Sequence, residues 1–425
     1  MANVRKVNDL PMDPKENDVF EIIPDKSRIV SSTHRLFNKY PTRFIPAIPR
    51  FAINAFSKPG EYVLDPFCGS GTSAIEAMLL GRNALSIDIE PFSRLLIKVK
   101  TCVYSNQDIE TINLIMKTIG AGLPAGFKRG FTPDLPFLDK WFPESSIDGL
   151  SFIKETIDRE AEGFPKVRDY LYVVLASIIR KVSYADEVSP KPYISKRYPK
   201  EPAEPISLFI KQETLYREAI VEFSKSVGML NNTSFILDSN DARHINSPVP
   251  VDLAVASPPY INAYDYVRSL RFEDLWLGLL TNKELVSNKK HYIGSETNIK
   301  VDESEYASKS ELLKPLVEKI KKSDPKRAGI VFKYFEDMGK NMASVYDSLK
   351  ENGRYVLVVG DSEIRGVKIP TGKILAEIAG TIGYEYEVSF KYVIRDRYLH
   401  LPRGNKGGII NFDEILILHK VKMCS

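Results

Sequence analysis

The sequence predicts an α/β protein with a Rossmann-like, doubly wound sheet, and a few short apolar segments carry this prediction. Residues 62–64 form an apolar run that is followed by a glycine-containing turn, a helix-like stretch and a second run at 84–88. Residues 252–256 and 354–360 form two further continuous apolar runs. Such runs, with helical periodicity between them, are typical of strands buried on both faces of a parallel sheet.

The first part of the chain leads into this sheet. Residues 1–55 are polar and poorly patterned at first and then predict an approach helix, with Pro46 and Pro49 near its beginning. Residues 56–100 predict strand, helix, strand and helix in that order. A third strand–helix set begins near residues 235–237 and leads into the run at 252–256.

The last part of the chain completes the alternation. Residues 310–352 have helical apolar spacing, and the strand predicted at 354–360 follows them. Residues 386–392 and 414–419 predict a final pair of strands. We find no internal repeat or low-complexity tract in the sequence.

A mainly helical segment interrupts the alternation of strands and helices. Within residues 108–230, three stretches have helix-like spacing and are separated by loops rich in proline and glycine: 110–119, 147–157 and 170–182. A chain of 425 residues is long enough for two domains. We therefore predict a sheet domain carrying an insertion, divided as 1–100, 101–230 and 231–425.

Composition is that of an ordinary soluble globular protein, with 43% hydrophobic and 27% charged residues. No apolar stretch is long enough for a transmembrane helix, and the N-terminus lacks the apolar core of a signal peptide. The three cysteines, Cys68, Cys102 and Cys424, lack metal-ligand spacing and favour a reducing, cytoplasmic location. The five histidines are scattered as well, so we expect no metal. A net charge of +4 is modest, so nucleic-acid binding would depend on local patches.

The segment 257–260, Ser-Pro-Pro-Tyr, ends the apolar run at 252–256. Neither proline has an N–H, so the sheet ladder stops there and the loop is stiff. What remains is a shelf with a hydroxyl, free carbonyls and a flat ring. These groups suit an exocyclic amine on a planar base, because the oxygens accept from the amine and the ring stacks on the base. Taken alone, the tetrapeptide is equally compatible with an ordinary loop that leaves a strand.

The glycine turn after the first strand is a second candidate site. Gly69 and Gly71 allow a ligand to approach the backbone, and Thr72 is placed to cap the helix. The turn is neither a GxGxxG fingerprint nor a phosphate-binding GxxxxGK[ST] loop. Asp88 ends the second strand about twenty residues after the glycines, where a doubly wound sheet binds ribose hydroxyls. An acid at a strand end is also compatible with a simple cap.

These motifs resemble those of the amino-directed, S-adenosylmethionine-dependent DNA methyltransferases. Residues 65–72, DPFCGSGT, are similar to the family's cofactor motif DPFxGxGT, and SPPY is similar to its catalytic motif, which also occurs as DPPY and NPPY. The resemblance covers roughly residues 30–100 and 230–420. It implies a seven-stranded sheet with one antiparallel strand at the edge. It also implies that 1–100 holds the cofactor-binding half of the catalytic domain and 231–425 its catalytic half.

The resemblance assigns residues to the cofactor S-adenosyl-L-methionine. The segment 40–44 resembles the one that contacts the methionine end, and 240–243 resembles a GDAR-like turn whose acid contacts the adenine amine. Asn240 replaces the expected glycine and tolerates a left-handed conformation nearly as well. The cofactor-binding residues implied are Tyr40, Thr42, Arg43, Phe44, Asp65, Pro66, Phe67, Cys68, Gly69, Gly71, Thr72, Asp88, Ile89, Asp241, Ala242 and Ser257.

The resemblance also implies the reaction. The SPPY form is most associated with methylation of cytosine N4 in double-stranded DNA, with the target base flipped out, and with restriction–modification systems that pair the enzyme with an endonuclease. The catalytic residues would be Ser257, Pro258, Pro259 and Tyr260. Adenine N6, an RNA or protein amine, and a catalytically silent binding subunit remain as alternatives. Methylation at cytosine C5 is disfavoured, because no cysteine follows a proline.

The insertion contains a candidate DNA-recognition surface, the basic loop of residues 180–200. Its basic side chains alternate with tyrosines, so they suit both phosphate neutralisation and base stacking, and its prolines predict an extended loop. A solvated basic surface is the alternative. The DNA-binding residues predicted are Arg180, Lys181, Lys191, Tyr193, Lys196 and Arg197.

Two further groups have open roles. Asp361, Arg395, Asp396, Arg397 and Arg403 are candidates to line the target pocket or the DNA channel, while Asp361 is equally compatible with a loop cap. The stretch 264–266 is a candidate to shape the base pocket, and its aromatics are equally compatible with the core.

Overall fold

A nine-stranded mixed sheet forms the centre of the protein in the computed structural model, which describes residues 4–23, 33–261, 265–297, 304–394 and 411–421. The strand order is β1-β2-β10-β11-β7-β6-β3-β4-β5. The strands are β1 (Val4–Val7), β2 (Val19–Ile22), β3 (Tyr62–Asp65), β4 (Asn83–Ser86), β5 (Ser234–Ile236), β6 (Val251–Ala256), β7 (Leu349–Gly360), β10 (Tyr384–Val393) and β11 (Phe412–Lys420). A separate hairpin pairs β8 (Ser362–Ile364) with β9 (Val367–Ile369).

The α/β, doubly wound class predicted from the sequence is confirmed, but two details of the expected sheet are wrong. The sheet has nine strands rather than seven, because β1 and β2 extend it beside β10 through the parallel pair Lys391↔Val19. The antiparallel strand is β11, which lies between β7 and β10 and not at the edge. The first two strands have four residues each, and β1 is mostly exposed, so no apolar run marks it in the sequence.

Helices cover both faces of the sheet, and the alternation of side chains along β6 shows how. Leu253 and Val255 face α1 (Ala47–Phe56) and α2 (Thr72–Leu79), whereas Ala254 and Ala256 face the other layer. That other layer consists of α12 (Leu313–Lys321), α13 (Pro325–Ser348) and α14 (Thr371–Ile382). A strand with apolar residues on both faces must be central, since each face needs a partner.

The segment between β4 and β5 is helical, as predicted. After α3 (Pro91–Lys100) come α4 (Asn106–Gly120), α5 (Leu138–Trp141), α6 (Glu144–Glu160), α7 (Pro165–Ile179) and α8 (Pro205–Val227). The three predicted helices correspond to α4, α6 and α7, whereas the 23-residue helix α8 was not anticipated. These helices share a hydrophobic core with short helices that follow the SPPY segment: α9 (Tyr266–Ser269), α10 (Arg271–Leu277) and α11 (Asn282–Asn288).

None of the helices within the described ranges has both the length and the apolar character that crossing a membrane requires.

Candidate active site

A cleft opens at the carboxyl ends of β3, β4 and β6. This edge of a doubly wound sheet is where such folds bind ligands, because loops leave neighbouring strands in opposite directions there. The predicted cofactor residues that line it are Tyr40, Thr42, Phe44, Asp65, Pro66, Phe67, Cys68, Gly69, Thr72, Asp88, Ile89, Asp241, Ala242 and Ser257. Arg43 and Gly71 are not among the lining residues.

The glycine turn is shaped by contacts that exclude side chains. Gly69 and Gly71 have φ of +46° and +80°. A Cβ on Gly69 would lie 3.3 Å from the ring of Tyr40, and one on Gly71 would lie 3.1 Å from Ile97. The prediction that Thr72 caps α2 is wrong, because Gly71 occupies the cap position and Thr72 is the first helical residue.

Two carboxyl groups face this turn. The Asp88 carboxylate accepts the N–H of Gly69 at 2.8 Å and that of Glu90 at 2.9 Å. Burial nevertheless raises the pKa of Asp88 to about 6 and that of Asp65 to about 7. Carboxyls that are this poorly solvated favour a ligand that brings hydroxyl donors or positive charge.

The approach segment forms one wall of the cleft. Thr42 has φ of +49°, which a β-branched residue rarely adopts, and its hydroxyl lies 2.8 Å from the hydroxyl of Tyr266. The hydroxyls of Tyr40 and Ser93 are 2.8 Å apart, so the Tyr40 ring is held against the glycine turn. Arg43 instead donates to the carbonyl of Asn38 at 3.1 Å. Strain concentrated at a ligand-lining residue is typical of a functional wall.

The SPPY segment leaves β6 directly beside the cleft. Ser257 and Pro259 line it, while Pro258 is buried and Tyr260 is half-buried outside it. The hydroxyl of Tyr260 donates to Asp413 at 2.6 Å. The serine end of the segment therefore adjoins the cleft, whereas its tyrosine does not line it.

The turn at residues 240–242 brings a third acid to the cleft. Asn240 has φ of +53°, as predicted for the replacement of a glycine. Asp241 is bound by Arg243 through two donors, at 2.9 and 2.7 Å. Burial would raise the pKa of Asp241, but the hydrogen bonds and charge of Arg243 lower it on balance. The ionised form of Asp241 is thus stabilised by the protein, whereas that of Asp65 and Asp88 is disfavoured by burial.

Several lining residues were not identified from the sequence. Tyr292 lines the cleft and donates its hydroxyl to Glu90, another lining residue. The carbonyl of His291 accepts from Arg243 at 3.0 Å, so residues 291–293 are tied across the cleft. Glu90 follows Asp88 by two positions and was a detectable candidate, whereas residues 291–293 have no local motif.

The basic loop divides into an anchored base and an exposed tip. Arg180 donates to the carbonyls of Ser189, Pro190 and Ser269 at 2.7 to 2.8 Å, and Lys181 donates to Gln212 at 3.0 Å. The tip residues Lys191, Tyr193, Lys196 and Arg197 are exposed. Of these four residues, Lys191 lies near the start of α9, which follows the SPPY segment, because its charge contributes to the lowered pKa of Asp265.

The residues whose roles the sequence leaves open have different environments in the structure. Asp361 accepts the N–H of Thr371 at 3.1 Å and so caps α14, as the alternative interpretation predicted. Tyr266 lines the cleft, while Asp265 accepts from Arg268 and pairs with Lys289 at 2.7 Å. Tyr264, Arg395, Asp396, Arg397 and Arg403 lie outside the described residues. Across the described ranges, no three His, Cys, Asp or Glu side chains are grouped to hold a metal.

Comparison with known proteins adds to this geometry. Residues 3–98 match a family model described as "DNA methylase". The type II methyltransferase M.MvaI of Kocuria varians is 26% identical over 384 residues, covering 84% of this chain and 83% of that protein. The type II methyltransferase M.BsoBI of Geobacillus stearothermophilus is 28% identical, and M.MjaII of Methanocaldococcus jannaschii is 26% identical. They match 52% and 58% of this chain, which spans 48% and 46% of their lengths.

Proposed function

We propose that this chain, an S-adenosylmethionine-dependent DNA methyltransferase of the amino-directed family, methylates the exocyclic N4 amine of cytosine at a specific DNA sequence. The single observation that carries the proposal is the placement of Ser257 at the end of β6, on the wall of a cleft lined by the DPFCGSGT turn. The SPPY form of the amine motif supports cytosine over adenine.

The cleft fits the cofactor through its own polar groups. When bound, S-adenosylmethionine supplies a methyl group on a positively charged sulfur. Asp88 would accept from the ribose hydroxyls and Asp241 from the adenine amine, while Tyr40, Thr42 and Phe44 would enclose the methionine end. Burial raises the pKa of Asp65, and the positively charged sulfur nearby would favour its ionised form.

The amine site would act by positioning and electrostatics. The lone pair of an exocyclic amine is delocalised into its ring, so it is a weak nucleophile. Acceptance of its N–H bonds by the Ser257 hydroxyl and the Pro258 carbonyl would localise that lone pair and stabilise the positive charge that develops on nitrogen. The stiffness of the two prolines keeps these acceptors aligned with the cleft. No strong base is required, since the alkylated nitrogen is acidic.

Target bases must leave the duplex to reach this shelf, and we propose that they stack on Tyr260. The insertion 101–230 would hold the DNA. Beside the cofactor cleft lies a second cavity, and Arg35, Lys39 and Lys181 are among the residues that line it. Burial lowers the pKa of Lys181, and the charges of Lys39, Lys200 and Lys211 lower it further against the opposing charge of Glu187. This concentration of positive charge, together with the exposed tip of the basic loop, suits a phosphate backbone.

Product analysis tests the base assignment. The protein is incubated with unmethylated, amplified duplex DNA and labelled cofactor, and the digested nucleosides are identified by mass spectrometry. We expect N4-methylcytosine. Exclusive formation of N6-methyladenine would overturn the base assignment and leave the amine mechanism intact, whereas label in RNA or protein but not in DNA would overturn DNA as the substrate.

The biological setting follows from the same reaction. We propose that the protein works in the cytoplasm as the modification component of a restriction–modification system, because relatives that carry the name type II methyltransferase are similar to it. Plasmid DNA methylated by the protein should resist one sequence-specific endonuclease, the cognate partner. Resistance to none of a broad endonuclease panel would count against that role.

A further inference from the structure

We propose that Asp413 is a positioning residue that fixes the ring of Tyr260 in the orientation needed to stack on the target base. The inference deepens the proposed function and rests on it, since it assumes that the base meets Tyr260. It concerns a residue on β11, more than 150 positions from the SPPY segment.

The contact is a buried hydrogen-bonded triad. The hydroxyl of Tyr260 donates to one oxygen of Asp413 at 2.6 Å, and the hydroxyl of Tyr392 donates to the other oxygen at 2.6 Å. Asp413 is only 5% exposed. Each carboxylate oxygen therefore has one phenol donor, and the hydroxyl of Tyr260 is anchored in the protein interior.

The topology of the sheet explains why this residue can reach the site. β11 runs antiparallel to β7, so its first residues lie at the edge where the parallel strands end. Asp413 is paired with Gly360 near the end of β7 and with Tyr392 near the end of β10. Tyr260 arrives at the same edge four residues after the end of β6. The antiparallel strand thus presents a side chain to the loop that follows β6.

The chemistry of the triad argues against a role in packing alone. Among the described residues, no salt bridge joins a cation to Asp413, and burial raises the pKa of its carboxyl although both phenols oppose the rise. Burying a carboxyl without a cation costs free energy, and an apolar residue would fill the same space more favourably. What it provides is a directional contact that restricts the rotamer of a half-buried tyrosine before the substrate binds.

The test removes the same hydrogen bond from each side. Asp413→Asn and Tyr260→Phe are prepared singly and together, with Tyr384→Phe as the matched control. Like Tyr392, Tyr384 lies on β10 and is buried, but its hydroxyl donates to the carbonyl of Met342 at 2.9 Å, away from the SPPY segment. Cofactor affinity is measured by calorimetry, and kcat and KM are measured for DNA. Once the methylated sequence has been mapped by sequencing, 2-aminopurine at the target position reports whether the base is stacked.

We expect Asp413→Asn to lower kcat about ten-fold, as for the loss of a hydrogen bond to a charged group, with unchanged cofactor affinity and altered 2-aminopurine fluorescence in the DNA complex. Tyr260→Phe should behave alike, and the double variant should be no worse than either single variant. Additive losses, a parallel loss of cofactor affinity, or the same effect from Tyr384→Phe would overturn the proposal. The wild-type product decides the proposed function separately, because a wild-type enzyme that methylates another base or another polymer refutes that function whatever the variants do.

Discussion

The strand-end site, formed by residues 65–72, 88–90, 240–242 and 257–260, and the basic loop satisfy their polar groups in opposite ways. In the strand-end site, the buried Asp65 and the half-buried Asp88 have backbone N–H donors but no salt bridge among the described residues, and desolvation raises the pKa of each. In the basic loop, Glu187 pairs with Lys200 of the same loop and with Lys39 from outside it. The difference indicates a cleft whose acids are matched only by backbone donors and a loop whose base is anchored by side-chain pairs of the protein itself.

The same difference separates specificity from affinity. Groups held at strand ends have fixed positions, so they can align atoms for reaction. Exposed side chains on a loop contribute charge, which attracts a polyanion without requiring exact geometry. Four experiments test this contrast.

The largest expected effect is on the reaction rate. Ser257→Ala should lower kcat by about 100-fold, by analogy with the loss of one preorganised hydrogen-bonding group, while cofactor affinity stays nearly unchanged. Single-turnover methylation measures the rate and calorimetry the affinity. Ser86→Ala is the matched control, because Ser86 also ends a parallel strand but does not line the cleft. An equal loss in both variants would show that Ser257 acts through folding rather than at the amine.

Cofactor binding should respond strongly to the acid at the end of β4. Asp88→Ala should weaken S-adenosylmethionine binding by about 10- to 100-fold, since it removes hydrogen bonds to a carboxylate. Asp361→Ala serves as control, because that acid also follows a strand at this edge but only caps α14. Calorimetry on folded variants should show normal affinity for the control. Unchanged affinity in Asp88→Ala would refute the ribose assignment.

The raised pKa values of the two acids predict a smaller, pH-dependent effect. With pKa values of about 7 for Asp65 and about 6 for Asp88, both groups lose charge as the pH falls from 7.5 to 5. Affinity for the cationic cofactor should therefore fall over this range. The stability of the unliganded protein should gain a contribution over the same range, because the folded state binds more protons than the unfolded chain.

Calorimetry and thermal unfolding across that pH range check the two opposite trends. Asp88→Asn cannot titrate at this position, so its affinity should fall less steeply than that of the wild type. A wild-type affinity that does not change between pH 7.5 and 5 would mean that neither carboxyl faces the ligand in its ionised form.

The parts of the site that the sequence predicts share one property, namely that their signals are local. The glycine turn, Asp88, Asn240 and the SPPY segment each lie within a short motif at the end of an apolar run, and the structure brings them to one edge. Such runs mark strands that are buried on both faces, and their apolar residues are visible directly in the sequence. The helices α4, α6 and α7 were also predictable, because helical apolar spacing is a local signal.

What the sequence did not reveal depends on contacts between distant segments. The bond between Glu90 and Tyr292 joins residues 202 positions apart, and Arg243 joins Asp241 to Asp337 on α13. The strands β1 and β2 are short, and they join the sheet through the pairing of β2 with β10, which is distant in sequence. Its place in a basic stretch predicts that Arg180 binds phosphate, although its guanidinium donates to backbone carbonyls.

The smallest expected effect concerns the exposed tip of the basic loop. Replacing Lys196 and Arg197 with alanine should weaken binding to all DNA sequences alike and reduce the slope of log affinity against log salt by about 0.9 for each lost phosphate contact. The methylated base should not change, because the strand-end site is untouched. Binding is measured by fluorescence anisotropy at several salt concentrations.

The charge-matched control replaces Lys319 and Lys322 with alanine, at exposed positions on α12 and at its end. Arg180→Ala supplies the opposite case, since losing its three carbonyl contacts should lower stability by about 1–3 kcal/mol without changing the salt slope. If the tip variant binds DNA with an unaltered slope, the basic loop is a solvated surface and the backbone contacts lie elsewhere, with the cavity lined by Arg35 and Lys39 as the next region to test.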